Sequence, residues 1–180
     1  VKFSLQNNEI KEEKVISGLA SGVLYPEQWG EKSQLVDFYD VKADVEALLG
    51  LTRRAGEYVF EAKQCPALHS GQSAAIKTCD GLPIGWMGKL HPAVEAQLGV
   101  SGPIYLFELI DSTLRQAEKP QFEELSKFPS VRRDLALVVD EAVTAHELKE
   151  CIIGVSGQYL TNLQLFDVYC GEGVESGRKS

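Results

Sequence analysis

The alternation of apolar and polar residues predicts a chain of short strands with few helices. Residues 15–24 are apolar and rich in small side chains without a helical stripe, which indicates a buried strand that a neighbour approaches closely at its glycines. Asp80-Gly81 is typical of a hairpin turn between two further strands. Other strands are predicted at 57–62, 74–79, 84–90 and 104–109, the last of them mostly apolar and therefore central.

Two segments show helical rather than strand patterns. Apolar residues at intervals of three and four between Asp37 and Gly50 predict an amphipathic helix, with Asp37 or Asp40 as its N-cap and Gly50 just after its last turn. His91-Pro92 predicts the start of a short helix that stops at Gly99. Sparse helices among strand-turn-strand units predict an antiparallel α+β core.

A second pattern begins after a polar, proline-bearing stretch at 116–127, which is typical of a linker. A strand is predicted at 134–139 and another at 160–169. Between them, Thr144 and Glu147 form a capping box that predicts a helix, followed by a loop at 154–158. Strand, helix and strand are the first half of a ferredoxin-like βαββαβ unit.

Charge gives no positive support for binding a polyanion. The 18 basic and 26 acidic side chains leave a net charge of −8, and residues 126–180 hold 6 basic against 8 acidic side chains. No stretch approaches the ~20 apolar residues of a membrane span, and no signal peptide is predicted. Four cysteines without a C-x-x-C pair favour reduced thiols in a cytoplasmic protein. The first methionine is Met87, so we expect the chain to be part of a longer protein.

The residues alone predict no catalytic or metal site. His69 could pair with Ser70 or Ser73 in a hydrolase, but no nucleophile elbow accompanies them. The three histidines lack metal-ligand spacing, and His91 is better explained as a helix cap. Asp37, Asp40 and Asp44 share a helical face at an N-terminus, where acidic side chains are favoured without a metal. Residues 171–180 lack the spacing of a phosphate-binding loop and indicate a flexible hairpin.

The segment from Leu125 to Val139 joins a proline-broken approach, a basic doublet and an alternating strand. Pro129 disfavours a helical conformation at Phe128, which brings Arg132 and Arg133 to the entrance of the strand. Alone, the doublet fits either a contact with RNA or an ordinary sheet edge.

Five blocks in fixed order resemble one family, the bacterial phenylalanyl-tRNA synthetase β subunits. They cover nearly the whole chain, and Ser70 stands where the family usually has proline. The blocks are Val36–Lys42 (VDFYDVK), Ala67–Ala74 (ALHSGQSA), Ile84–Pro92 (IGWMGKLHP), Phe128–Asp134 (FPSVRRD) and Leu165–Tyr169 (LFDVY) before the glycine-rich tail.

The resemblance implies an α+β protein made of a class II synthetase-like antiparallel sheet with flanking helices, followed by a partial ferredoxin-like βαβ unit. Residues 1–118 would be a noncatalytic, catalytic-like module that assembles with the α subunit. Residues 119–127 would be a linker, and 128–180 the first half of an anticodon-binding domain. The whole ligase would use ATP and magnesium to attach phenylalanine to its tRNA. This fragment would bind neither cofactor, nor DNA, nor a membrane.

By type and position, the candidate contacts with tRNA(Phe) are Arg132 and Arg133 for the backbone and Phe166 and Tyr169 for the sheet face. Alternation places Phe166 and Tyr169 on opposite faces, so at most one of them can stack on RNA. The alternatives are a free-standing ferredoxin-like RNA-binding or regulatory module on an unrelated α+β domain, and the hydrolase at His69.

Overall fold

The structure, a computed structural model, describes residues 1–54, 56–100, 102–117, 119, 122 and 127–180, without the side chains of Gln6 and Gln158. The chain divides into two compact units, Val1–Glu123 and Glu124–Ser180. The predicted linker at 119–127 falls largely outside the described residues and stays a prediction.

The first unit is built on a five-stranded antiparallel sheet, as the strand-turn-strand pattern predicts. Its strand order is β3-β7-β6-β5-β4, and β1 and β2 form a separate hairpin. The strands are β1 (Lys2–Gln6), β2 (Glu9–Glu13), β3 (Val15–Ser21), β4 (Tyr58–Ala62), β5 (Leu68–Thr78), β6 (Pro83–Leu90) and β7 (Ile104–Ile110). The helices of this unit are α1 (Phe38–Gly50), α2 (Pro92–Leu98) and α3 (Asp111–Leu114).

Helix α1 supplies one side of the hydrophobic core. Asp37 caps it by accepting hydrogen bonds from the backbone N–H groups of Tyr39 and Asp40, while the Asp40 carboxylate accepts one from the N–H of Asp37. The prediction that Gly50 follows the helix is wrong, because Gly50 is its last residue and Leu51 is the C-cap. The buried residues of this core are Val36, Val41, Val45, Leu49, Ala74, Ile76, Ile84, Met87, Tyr105 and Leu109.

Strand β3 lies at the edge of the sheet, so the prediction that it is a buried strand is wrong. It pairs with β7 alone, and Leu19 is 64% exposed. The expected close approach at a glycine is present, because the Phe107 ring packs over Gly18. Composition alone does not distinguish an edge strand from a central one, because the difference depends on the number of neighbours.

The hairpin between β5 and β6 confirms the turn prediction. The N–H of Gly81 donates to the carbonyl of Thr78 at 2.8 Å, and Gly81 has a φ of 82°. The β1–β2 hairpin was not predicted. Its turn residues, Asn7 and Asn8, both have positive φ, which asparagine tolerates better than most residues.

The cap predicted for the second helix is confirmed. His91 Nδ1 accepts a hydrogen bond from the N–H of Ala93 at 3.1 Å, and Pro92 occupies the first helical position. Gly99 ends α2 in the left-handed conformation, with a φ of 66°.

In the second unit, the predicted helix is confirmed and the two long strands are not. The elements are β8 (Val139–Asp140), α4 (Ala145–Ser156), a short 3-10 turn (Gly157–Tyr159) and β9 (Arg178–Lys179). Helix α4 thus runs three residues into the predicted loop at 154–158. The strands predicted at 134–139 and 160–169 are reduced to β8 and to one backbone pair at Tyr169, because a strand requires a hydrogen-bonded neighbour.

The close approach of β6 and β7 at Gly85 gives a test of the sheet. A Cβ at Gly85 would lie 2.3 Å from the Glu108 carbonyl oxygen, which belongs to the backbone and cannot rotate away. We expect Gly85→Ala to lower the free energy of unfolding by about 1–3 kcal/mol through overpacking. Urea denaturation followed by circular dichroism measures the change.

Gly30→Ala is the matched control, because nothing lies within 4 Å of a Cβ at Gly30. Equal stability of the two variants would contradict the described register of β6 and β7.

Candidate nucleic-acid interface

Three residues at the end of the chain fix the arrangement of the second unit. Val139 pairs with Lys179 and Asp140 with Arg178, both antiparallel. Tyr169 and Ser180 exchange reciprocal backbone hydrogen bonds of 2.7 and 2.9 Å. Residues 178–180 therefore lie between the segment that holds Val139 and the segment that holds Tyr169.

These pairs assign side chains to faces, because residues directly opposite each other share a face and successive residues alternate. Tyr169 lies on the face of Ser180, which is also the face of Arg178 and Asp140. Val139 and Lys179 lie on the other face. We call the first of these the Tyr169 face, defined by Asp140, Tyr169, Arg178 and Ser180.

The side chain of Tyr169 is held in a defined orientation. Its ring lies over Gly171, since a Cβ there would be 2.6 Å from the Tyr169 hydroxyl oxygen. The hydroxyl donates a hydrogen bond to the Glu172 carbonyl at 3.1 Å, and the residue remains 48% exposed. An aromatic ring that is both exposed and oriented can stack on a base at low entropic cost.

Phe166 is also exposed, at 66%. It is three positions from Tyr169, so the alternation predicted for 160–169 would place it on the opposite face, with Val139 and Lys179. The structure assigns no strand at 160–168, and this placement stays a prediction.

Arg132 and Arg133 are exposed, and the structure assigns no strand to them. Arg132 Nε lies 3.6 Å from an Asp134 carboxylate oxygen, with the side chains 86% and 69% exposed. An ion pair this exposed contributes little stability, so the guanidinium can exchange Asp134 for a phosphate at small cost.

The N-terminus of α4 approaches the face of Lys179. Lys179 Nζ donates to the Glu141 carbonyl at 2.8 Å. The pKa of Glu147 is lowered, first by the hydrogen bond from the Thr144 N–H, next by the Thr144 hydroxyl, and further by the charges of His146 and Lys179. Lys179 thus lies near the first turn of α4, while on the Tyr169 face Tyr169 is 48% exposed and the side chain of Arg178 45% exposed.

Among the described residues of the first unit, the contacts of His69 do not form an arrangement for nucleophilic catalysis. Its Nδ1 accepts a hydrogen bond from the N–H of Gly71 at 3.1 Å. The Ser73 hydroxyl donates to the Lys63 carbonyl at 2.7 Å, and Ser70 is exposed. The hydrolase alternative required His69 to engage a serine hydroxyl, and these contacts disfavour it.

Other titratable side chains of the first unit serve the fold. Tyr105 is buried and donates its hydroxyl to Gln72 Oε1 at 3.2 Å; burial and the charges of Asp37, Glu95 and Asp40 raise its pKa.

Among the described residues, no group of three or more His, Cys, Asp or Glu side chains could hold a metal ion. The free, exposed cysteines are Cys65, Cys79, Cys151 and Cys170. In the part of the chain that the structure describes, no helix is both long and apolar enough to cross a membrane.

Sequence reasoning missed Asp140, Arg178 and Ser180 as companions of Tyr169. Residues 171–180 are predicted as a flexible hairpin, and the structure shows turns at Gly173 and Gly177, both with positive φ, between the paired residues Tyr169 and Ser180. The sequence feature that could have indicated Arg178 is the basic pair at 178–179, which directly follows a glycine turn.

Two family models match this chain, one within each of its two units. Residues 2–110 match the family model of the phenylalanyl tRNA synthetase beta chain CLM domain, and residues 126–180 match that of the ferredoxin-fold anticodon binding domain. The first match spans more than half of the chain.

Curated relatives are similar over the whole chain. A phenylalanine–tRNA ligase beta subunit of Pseudomonas savastanoi pv. phaseolicola is 43% identical over 180 residues, which are all of this chain and 23% of that protein. The beta subunit of Methylococcus capsulatus is 46% identical over 180 residues, again all of this chain and 22% of the relative. The chain thus spans less than a quarter of these relatives. Because both parts match one kind of chain, the alternative of a ferredoxin-like module on an unrelated domain is disfavoured.

The capping box of α4 generates a pH-dependent prediction. Since the folded pKa of Glu147 is lowered, its contribution to stability is present above the unfolded value of 4.5 and is lost as the pH falls through the folded value. We expect Glu147→Gln to be less stable than the parent chain at pH 7, and the difference to shrink below pH 4.5. Urea unfolding at both pH values measures it.

Glu150→Gln on the same helix is the control, because Glu150 lies outside the capping box. A Glu147→Gln effect that grows as the pH falls would contradict the assigned sign.

Proposed function

Because the chain belongs to the family of phenylalanyl-tRNA synthetase β chains, we propose that it is the part of such a chain that assembles with the α subunit and docks tRNA(Phe), without a catalytic step of its own. The observation that carries the proposal is the Tyr169 face, an exposed surface with an oriented aromatic ring beside a cation, within the residues that match an anticodon-binding domain. The whole ligase attaches phenylalanine to its tRNA with ATP and magnesium, in the cytoplasm.

The first unit acts in assembly. Support comes from its match to the synthetase β-chain family and from the hydrogen bonds of His69, Ser73 and Tyr105, which are used within the unit. Its boundaries are 1–118, with a linker at 119–127 and the anticodon-binding part at 128–180. The split between Glu123 and Glu124 supports a boundary in this region.

In the second unit, Tyr169 is the stacking residue of the sheet and Phe166 is not, because the predicted alternation places Phe166 on the opposite face. The antiparallel pairs support this division, because they separate the face of Tyr169 from the face of Lys179. Arg132 and Arg133 contact the RNA backbone at the strand entrance. Support comes from the exposure of both side chains and from the weak, exposed ion pair between Arg132 and Asp134.

RNA recognition through one such surface is compatible with the acidic chain. Bases stack on rings irrespective of net charge, and a few cations suffice to neutralise the nearest phosphates. Residues 126–180 hold 6 basic against 8 acidic side chains and so contribute only −2 of the net charge of −8.

The stacking role predicts a loss of tRNA affinity on truncation of Tyr169. In the complete β chain assembled with α, we expect Tyr169→Ala to weaken tRNA(Phe) binding by about 1–3 kcal/mol, the range for one base stacked on an aromatic ring. Filter binding or fluorescence anisotropy with labelled tRNA measures the dissociation constant.

Tyr159→Ala is the matched control, because Tyr159 is an exposed tyrosine of the same unit. Equal losses in the two variants, or none in Tyr169→Ala, would rule out the stacking role.

The assembly role predicts that α and the complete β chain co-migrate on size-exclusion chromatography and aminoacylate tRNA(Phe) together. The isolated 180-residue chain should show no aminoacylation, since the proposed role leaves the catalytic step to the α subunit. Aminoacylation by the isolated chain, or failure of the complete β chain to co-migrate with α, would refute the role.

A further inference from the structure

Arg178 is the cation of the Tyr169 face. It belongs to β9 and shares a face with Ser180, two residues on, and therefore with Tyr169. The side chains of Arg178 and Tyr169 thus project from the same face of two neighbouring backbone segments. The Tyr169 ring lies over Gly171.

The guanidinium of Arg178 forms two weak ion pairs and keeps other N–H groups available to a further acceptor. Its Nε lies 3.4 Å from an Asp140 carboxylate oxygen, and its Nη1 lies 3.9 Å from one of Glu175. The side chain is 45% exposed, and those of Asp140 and Glu175 are 73% and 84% exposed. Ion pairs this open to water are weak, and these contacts leave other guanidinium N–H groups available to a further acceptor.

Arginine suits a phosphate at this position. Its planar fork donates to two oxygens at once, and charge-assisted bonds of this kind are about twice as strong as neutral ones. A base stacked on Tyr169 would place the phosphate of its own nucleotide within about one nucleotide's length of β9, the strand that holds Arg178.

We propose that Arg178 is a further RNA-contacting residue, which binds a backbone phosphate beside the base stacked on Tyr169 and exchanges its exposed ion pair with Asp140 for that contact. This inference rests on the proposed function of the second unit. It adds a contact outside the basic doublet at Arg132 and Arg133, on strand β9, which pairs with β8.

The test uses the complete β chain assembled with α and measures the dissociation constant of tRNA(Phe) at several salt concentrations. Arg178→Gln should weaken binding about five- to tenfold, as expected for one charge-assisted contact, and lower the slope of log affinity against log salt by about 0.7–0.9. Arg178→Lys should restore the slope and part of the affinity, since the charge remains without the fork. Lys149→Gln, an exposed charge on α4, should stay within about twofold of the parent protein.

Asp140→Asn separates RNA contact from a purely structural role. It breaks the same ion pair as Arg178→Gln but removes a negative charge from the Tyr169 face. If Arg178 contacts phosphate, Asp140→Asn binds tRNA as well as the parent protein or better. Equal weakening by Asp140→Asn and Arg178→Gln would mean that the pair merely holds β8 to β9, and would overturn the proposal.

Tyr169→Ala in the same series distinguishes the two levels of failure. If Tyr169→Ala weakens binding and Arg178→Gln does not, Arg178 has no RNA contact while the proposed function stands. If neither variant changes affinity or salt slope, the Tyr169 face does not bind tRNA and both proposals fail.

Discussion

An extended backbone can satisfy its N–H and C=O groups within a protein only through a neighbouring strand, and this constraint organises both units. In the first unit, β7 has β3 on one side and β6 on the other, so both of its edges are hydrogen-bonded and it is an interior strand of the sheet. In the second unit, residues 178–180 are the neighbour for two separate segments, one at Val139–Asp140 and one at Tyr169. Those few pairs determine which side chains share a face.

The same constraint explains why the two units differ in how much apolar surface they bury. Strands β5, β6 and β7 pack against α1, and Val45, Ile76 and Met87 are fully buried between them. At 127–138 and 160–168 no strand is assigned, and apolar side chains such as Leu135 and Phe166 remain open to solvent. The first unit therefore has a buried hydrophobic core, while apolar side chains of the second unit stay exposed.

Much of the fold could be predicted from local sequence, because caps and turns are local interactions. Asp37, His91, Thr144 and the Asp80-Gly81 turn each fix an element within a few residues of themselves. The larger errors concern non-local partners: β3 has one neighbour rather than two, and the segment at 160–169 lacks the pairs that would make it a long strand. For the candidate site, residue type identified Tyr169, but its face depends on Ser180, which lies eleven positions away in the chain, and no pattern indicated that pairing. Arg178 was missed for the same reason.

Hydrogen–deuterium exchange of the α–β assembly, with and without tRNA(Phe), tests the central claim most directly, namely that one face of the Tyr169–Ser180 pairing receives RNA. The account predicts that tRNA slows exchange in peptides covering residues 166–180, while peptides of β7, an interior strand of the first sheet, are unchanged. Saturating tRNA that leaves 166–180 unprotected, or protects other regions of the chain instead, would contradict it.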